Sequence, residues 1–250
     1  MPEHVVLLHG FSGTHRVWDE VIGLLDRERY LPRALDLPGH GRAAAHGRPL
    51  TFAGCVVHVL AAAPPRFVLC GYSLGGRVAL HVALAAPERV TRLVLVSTSA
   101  GIEDAAERAR RRESDRRLAA QLRQGDIEAF IESWRSQPLF AGEPAAVGEL
   151  ARADQRRNRA DALADVLAGL GSGAMEPLWE RLGELAMPVT ALAGERDRKY
   201  VELGRRMVRA IPNASLQVVR GGHRLALENP AAVAAALATG RPRPPAQTGL

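Results

Sequence analysis

The heptapeptide GYSLGGR, residues 71–77, sets a framed serine beside a permanent cation. Its first five residues, Gly71-Tyr72-Ser73-Leu74-Gly75, have the G-x-S-x-G spacing, after the apolar run RFVLC (66–70) and before the helix-forming LGGRVALHVALAA. At such a junction a sharp turn leaves no room for side chains at 71 and 75 and lifts the Ser73 hydroxyl above the backbone. A serine hydroxyl is a weak nucleophile and a weak base until a histidine can take its proton. GERDRK (194–199) follows the run PVTALA and supplies Asp197, and GGHRLALENP (221–230) follows ASLQVV and supplies His223. Asp197 would hold the imidazole of His223 in its working tautomer and stabilise the imidazolium that forms. Glu195 and Asp104 are further acid candidates, less well placed.

Two more features belong to this chemistry. HGFSG (9–13) follows the first apolar run, and His9-Gly10 permits a sharp turn that lets the Phe11 N–H face the serine. Together with the Leu74 N–H it would form an oxyanion hole, aimed at charge that develops during reaction. Arg77 stands four residues after Ser73, on the same helix face. A helix N-terminus favours anions, so a cation placed there works against the helix and points to a carboxylate held by the guanidinium. A salt bridge to an acidic side chain elsewhere in the chain is the competing reading.

These residues need a scaffold that brings strand ends together. Short, continuous apolar runs read as strands buried on both faces: 4–8, 32–37, 66–70, 92–97, 188–194 and 214–219. They alternate with helix-like stretches at Val17–Arg27, Phe52–Ala63, Leu74–Ala86, Leu203–Ile211 and Pro230–Ala238, the pattern of an α/β fold with a parallel sheet flanked by helices. From Ala100 to Met175 strand signals vanish, which predicts an all-helical cap inserted at a strand end, where ligand sites of open α/β sheets lie. The expected organisation is a core of 1–99 and 176–239, a cap of 100–175 and a disordered Pro-rich tail at 240–250.

Composition narrows the partners. The net charge of +6 raises nucleic acid, membrane and anionic small molecules as possibilities. The basic stretch RARRRESDRR (108–117) is interrupted by Glu113 and Asp115 and lacks interleaved aromatics, which reads as a solvated helix face and not as a nucleic-acid surface. No window offers about 18 uninterrupted apolar residues, so no membrane span is expected. Cys55 and Cys70 have neither disulfide nor metal spacing, and the N-terminus lacks a signal-peptide pattern, which together point to a soluble cytoplasmic protein without a metal.

With HGF and Trp18, DLPGHG (36–41), GYSLGGR, RRRESDR, SWRSQPLF, GERDRKY and GH…ENP, the chain resembles the α/β-hydrolase superfamily over about residues 4 to 237. Within it, the combination of GYSLGGR with W…QPLF resembles the 2-succinyl-6-hydroxy-2,4-cyclohexadiene-1-carboxylate synthases of menaquinone biosynthesis. The resemblance implies a cap inserted after the family's sixth strand position, and a chain that begins too late for the family's leading hairpin. It implies a cofactor-independent lyase that releases pyruvate from 2-succinyl-5-enolpyruvyl-6-hydroxy-3-cyclohexene-1-carboxylate, with Ser73 as base. It further implies that Arg77 and Arg111 bind carboxylates of this trianion, that Tyr72 and Trp134 line the pocket, and that the protein is a monomer or weak homo-oligomer. Arg110 and Arg112 are alternatives to Arg111. Gln155 stands where the family tends to place an arginine, with Arg156 and Arg157 beside it, and Ala226 stands where a second histidine is common. A carboxylesterase with the same triad, needing neither arginine, and a non-catalytic receptor on the same fold are the alternatives.

Overall fold

The apolar runs form strands β1 (Glu3–Leu8), β2 (Tyr30–Leu35), β3 (Phe67–Tyr72), β4 (Val90–Val96), β5 (Val189–Gly194) and β6 (Ala214–Val219) in a computed structural model. It describes residues 1–238 except 46 and 48, so the tail expected at 240–250 lies outside the described residues. The strand order is β2-β1-β3-β4-β5-β6, and every neighbouring pair is parallel.

Alternation along the strands divides the core. Val5 and Leu7 of β1, Val68 and Cys70 of β3 and Val94 and Val96 of β4 face one side, packing with Trp18, Val21, Leu225, Val233 and Leu237. Val6, Leu8, Phe67, Leu69, Leu93 and Leu95 face the other. The elements on the first face are α1 (Asp19–Gly23), α9 (Leu225–Glu228) and α10 (Pro230–Ala238); on the second they are α2 (Phe52–Ala62), α3 (Leu74–Ala85) and α8 (Arg198–Ala210). Both cysteines are buried free thiols, and burial pushes the Cys55 thiol up to about 12, outside any physiological titration.

Between β4 and β5 the chain is helical: α4 (Ala105–Gln124), α5 (Ile127–Arg135), α6 (Ala145–Gln155) and α7 (Ala160–Leu170). This insertion follows the fourth strand of the chain. Helices α4, α5 and α7 share an apolar centre of Leu122, Phe130, Ile131, Leu163 and Leu167. They meet the core through Phe11, whose ring packs edge-on against Trp134 and Phe130 at 5.0 and 5.9 Å.

Five elements shift by two residues or more from their expected bounds, among them β3, which ends at Tyr72 and not at 70, and β4, which begins at Val90 and not at 92. β2 runs two residues earlier than 32–37 and contains Pro32, tolerated because β2 is a sheet edge with a row of unpaired backbone groups. The helix expected at Val17–Arg27 is a 3-10 turn (His15–Trp18) followed by the short α1. Helix α8 starts at Arg198, five residues before the expected Leu203, directly after Asp197.

Candidate active site

Ser73 sits at a backbone turn with φ +51° and ψ −110°, a left-handed conformation unfavourable for a side chain. The flanking glycines are required by contact. A Cβ at Gly71 would lie 2.3 Å from the Gly75 carbonyl oxygen, and one at Gly75 would lie 2.2 Å from the Leu8 carbonyl oxygen. The turn is tied down by Ser73 N–H to the Val96 carbonyl (2.9 Å) and by the Thr98 hydroxyl to the Ser73 carbonyl (2.7 Å).

The end of β5 delivers Asp197 and the loop after β6 delivers His223. Asp197 Oδ2 lies 2.7 Å from His223 Nδ1, and His223 Nε2 lies 3.2 Å from Ser73 Oγ. Asp197 and His223 are buried, whereas Ser73 is partly open to the cavity. Such an arrangement can relay a proton, with its working end open to the cavity and its orienting end shielded from water. The competing acids are elsewhere: Asp104 caps α4 by accepting the Glu107 N–H, and Glu195 is exposed.

The N–H groups of Phe11 and Leu74 donate to no hydrogen bond among the described residues, Leu74 being the first residue of α3. Beneath them, His9 and His40 pack edge-on at 4.7 Å. His9 Nε2 accepts the Leu37 N–H at 3.0 Å and His40 Nε2 accepts the Ser12 N–H at 3.2 Å. Burial lowers the pKa of both, which keeps them neutral acceptors.

The cavity over Ser73 has two lobes, with Phe11, Ser73, Trp134 and Leu139 lining both. One is mainly apolar, with Val17, Tyr72, Phe140 and Ala226 among its walls. Its cation, Arg224, is paired with Glu143 at 2.6 Å to both carboxylate oxygens and lies 3.8 Å over the Phe140 ring. Burial raises the Tyr72 pKa, so its phenol stays neutral.

The other lobe is polar and contains Arg77, Arg111 and Tyr200. Arg77 is buried and donates to the Leu170 carbonyl at 3.0 Å. It forms no ion pair among the described residues, against the salt-bridge reading. Burial draws its pKa down to about 10, leaving a cation at neutral pH. Arg111 Nε donates to Asp115 at 2.8 Å. Arg112 instead donates to the Gly173 carbonyl, and the exposed Arg156 is paired with Glu128. Arg157 is half-exposed and lies 3.9 Å from Asp154.

Residues 5–236 match the Alpha/beta hydrolase family. The chain belongs to the alpha/beta hydrolase family. Among relatives in that family, the "2-succinyl-6-hydroxy-2,4-cyclohexadiene-1-carboxylate synthase" of Salmonella schwarzengrund is 35% identical, over 94% of this chain and 92% of that one. The structure of MenH from S. aureus superposes with a TM-score of 0.89 at 30% identity, covering 94% of this chain and 92% of that one. The enol-lactonase from Burkholderia xenovorans LB400 shares the fold, with a TM-score of 0.79 at 17% identity over 95% and 90% of the two chains.

The elbow, relay and backbone donors of this alpha/beta hydrolase were legible from motifs at strand ends. Glu143, Arg224, Asp154 and Asn158 were not. Tyr200, whose ring centre lies 4.6 Å from that of His223, had only its place in GERDRKY as a signal.

Proposed function

We propose that the protein is a lyase that eliminates pyruvate from 2-succinyl-5-enolpyruvyl-6-hydroxy-3-cyclohexene-1-carboxylate, giving 2-succinyl-6-hydroxy-2,4-cyclohexadiene-1-carboxylate. The observation that carries this reading is the buried, carboxylate-free Arg77 in a lobe that opens on Ser73. A neutral ester would leave that charge uncompensated, whereas a carboxylate pairs with it.

In the reaction, His223 Nε2 takes the Ser73 proton as Ser73 Oγ takes the ring C–H proton beside the succinyl ketone. The C–H electron pair passes into the ketone as an enolate, whose oxygen accepts the Phe11 and Leu74 N–H groups. When the enolate collapses, a C=C forms between C2 and C3, the C3=C4 double bond shifts to C4–C5 and the C5–O bond breaks. The departing enolpyruvate oxygen takes the proton from His223 Nε2, which restores the relay. Enolpyruvate gains a proton at its methylene carbon and loses its enol proton to become pyruvate. Asp197 stabilises the imidazolium, and the chemistry needs no redox step or acyl-enzyme. Arg77 and Arg111 bind carboxylates, while Tyr72 and Trp134 supply apolar walls.

Residues 100–175 act as a cap on a core formed by 1–99 and 176–239. The relay and both arginines come from one chain, which fits a monomer or weak homo-oligomer. No described helix is long and apolar enough to cross a membrane. The buried unpaired thiols favour a reducing compartment, the cytoplasm.

The test is pyruvate release by wild type, Ser73→Ala and Arg77→Ala, with p-nitrophenyl acetate in parallel. Release lost in Ser73→Ala and weakened in Arg77→Ala supports the lyase. Ester cleavage without pyruvate release replaces it with a carboxylesterase.

A further inference from the structure

The loop that carries the Phe11 N–H is not held by the core alone. Helix α6 and the turn after it end on this loop. The Thr14 N–H donates to Asp154 Oδ2 at 2.7 Å, and the Thr14 hydroxyl donates to Asp154 Oδ1. Gln155 Nε2 donates to Ser12 Oγ at 2.8 Å. Asn158 Nδ2 donates to the Ser12 carbonyl at 2.8 Å, and Asn158 Oδ1 accepts the Gly41 N–H at 2.9 Å. All three side chains are buried, at 6% exposure or less.

The loop needs such support. Ser12 has φ +61°, in the left-handed region that an L-residue keeps only when its surroundings fix it. From the core, His40 accepts the Ser12 N–H. Thr14 also accepts the N–H groups of Arg16 and Val17 in the turn it caps, but both of its donors and the remaining bonds of Ser12 go to the helical segment, and Phe11 itself is wedged by its ring against Trp134 and Phe130. Phe11, whose N–H has no partner among the described residues, is thus braced on its side chain and on its C-terminal neighbours.

We propose that Asp154 and Asn158 are positioning residues that hold loop 10–14 so that the Phe11 and Leu74 N–H groups converge on one oxygen. The oxyanion hole is then completed by the seated cap. Neither residue touches the reacting atoms. Thr14 uses both of its donors on one carboxylate, so Asp154 cannot be replaced without loss by an amide, which offers one acceptor. The kinetic part of this inference rests on the lyase reading, since it requires an enolate in the hole.

The experiment combines steady-state pyruvate release with hydrogen exchange of peptides covering 9–14, in wild type, Asp154→Ala, Asp154→Asn and Asn158→Ala. Glu128→Gln, which breaks the exposed pair with Arg156 between α5 and α6, is the control. In Asp154→Ala we expect kcat to fall about 30- to 100-fold with KM changed by less than about threefold, as for a small displacement of catalytic geometry. Asp154→Asn falls between it and wild type. Exchange across 9–14 accelerates in the same order, while exchange across 66–80 and all properties of Glu128→Gln stay at wild-type values.

A rise in KM with kcat intact overturns the proposal, because the contacts would then only shape the binding cavity. Unchanged exchange across 9–14 overturns it as well. If Asp154→Ala does not fold, Asp154→Asn and Asn158→Ala are read by the same criteria. If wild type releases no pyruvate, the lyase reading fails, and exchange alone decides whether the two residues hold the loop.

Discussion

Each lobe of the cavity contains a buried or half-buried arginine, and the two arginines have opposite fates. In the apolar lobe Arg224 is neutralised by Glu143 from the helical segment, with both side chains nearly inaccessible. In the polar lobe Arg77 is equally buried but meets no carboxylate among the described residues, only the Leu170 carbonyl and the face of the Phe52 ring. A cation whose carboxylate holds it on both oxygens out of reach of water stabilises the fold and leaves little for a ligand, whereas an unpaired one is held at a cost until a ligand arrives. Arg111, bonded to Asp115 through Nε and part-exposed, stands between the two. Counting cations near Ser73 would therefore mislead, since what selects an anion is the cation without a partner.

The comparison breaks altogether if Ser73 does not serve both lobes. Ser73→Ala should lower kcat/KM for pyruvate release by about 10³-fold or more with an unchanged melting temperature, because it removes the group on which the relay acts. Residual release at more than about a tenth of the wild-type rate would remove Ser73 from the reaction. Next in size is Arg224→Ala. Leaving Glu143 buried and unpaired should destabilise the fold by about 3–5 kcal/mol in urea unfolding, and Glu143→Gln combined with Arg224→Met should recover much of this. A loss below about 1 kcal/mol would show that the pair is solvated and the lobes are not distinct.

Arg77→Ala should act in the opposite sense. It should lower kcat/KM by the equivalent of about 2–5 kcal/mol while leaving stability the same or higher, since an unpaired buried charge is gone. Arg77→Lys should restore only part of the activity, because an ammonium cannot offer a planar pair of donors. If Arg77→Ala instead destabilises the protein and spares kcat/KM, Arg77 belongs with Arg224.

The smallest effect concerns the two histidines that hold the loops at Ser12 and Leu37. His9 and His40 are held neutral by burial, with folded pKa values below the ordinary 6.5. Below about pH 6.5 the unfolded chain binds protons that the folded chain does not, so stability must fall as pH drops through that value. Melting temperatures measured from pH 7.5 to 5 should decline for wild type, and a flat profile would mean that these rings protonate in place.

How much of this could be read in advance follows from how the information is encoded. The elbow is local: two glycines, a serine, and a strand and helix on either side. Asp197 and His223 are far apart in sequence, but each follows a strand-like run, and parallel strands place their ends together. The Arg224–Glu143 and Asp154–Thr14 contacts join residues 81 and 140 positions apart, and although Arg224 and Thr14 lie in or beside motifs, nothing around Glu143 or Asp154 marked the cap partner. The boundary of β2 was missed because Pro32 reads as a strand start, which is true only away from an edge. The start of α8 was missed because its N-terminal turn, RKYVE, is mostly polar and hides the helical period.

One feature of the elbow bears on how such an enzyme can be re-engineered. A methyl group at Gly71 or Gly75 would collide with backbone carbonyls, and one at Gly10 would lie 2.7 Å from the Tyr72 ring. The nucleophile turn and the backbone donors are interlocked main chain to main chain, so their spacing is not adjustable by side-chain exchange. Libraries randomised at these glycines should yield mostly inactive clones. Libraries at Gln137, Leu139 and Trp134, which reach the cavity from the helical segment, should change substrate preference while the chemistry persists. A lineage diversifying on this scaffold would accordingly keep its strand-end loops and rewrite the helices above them.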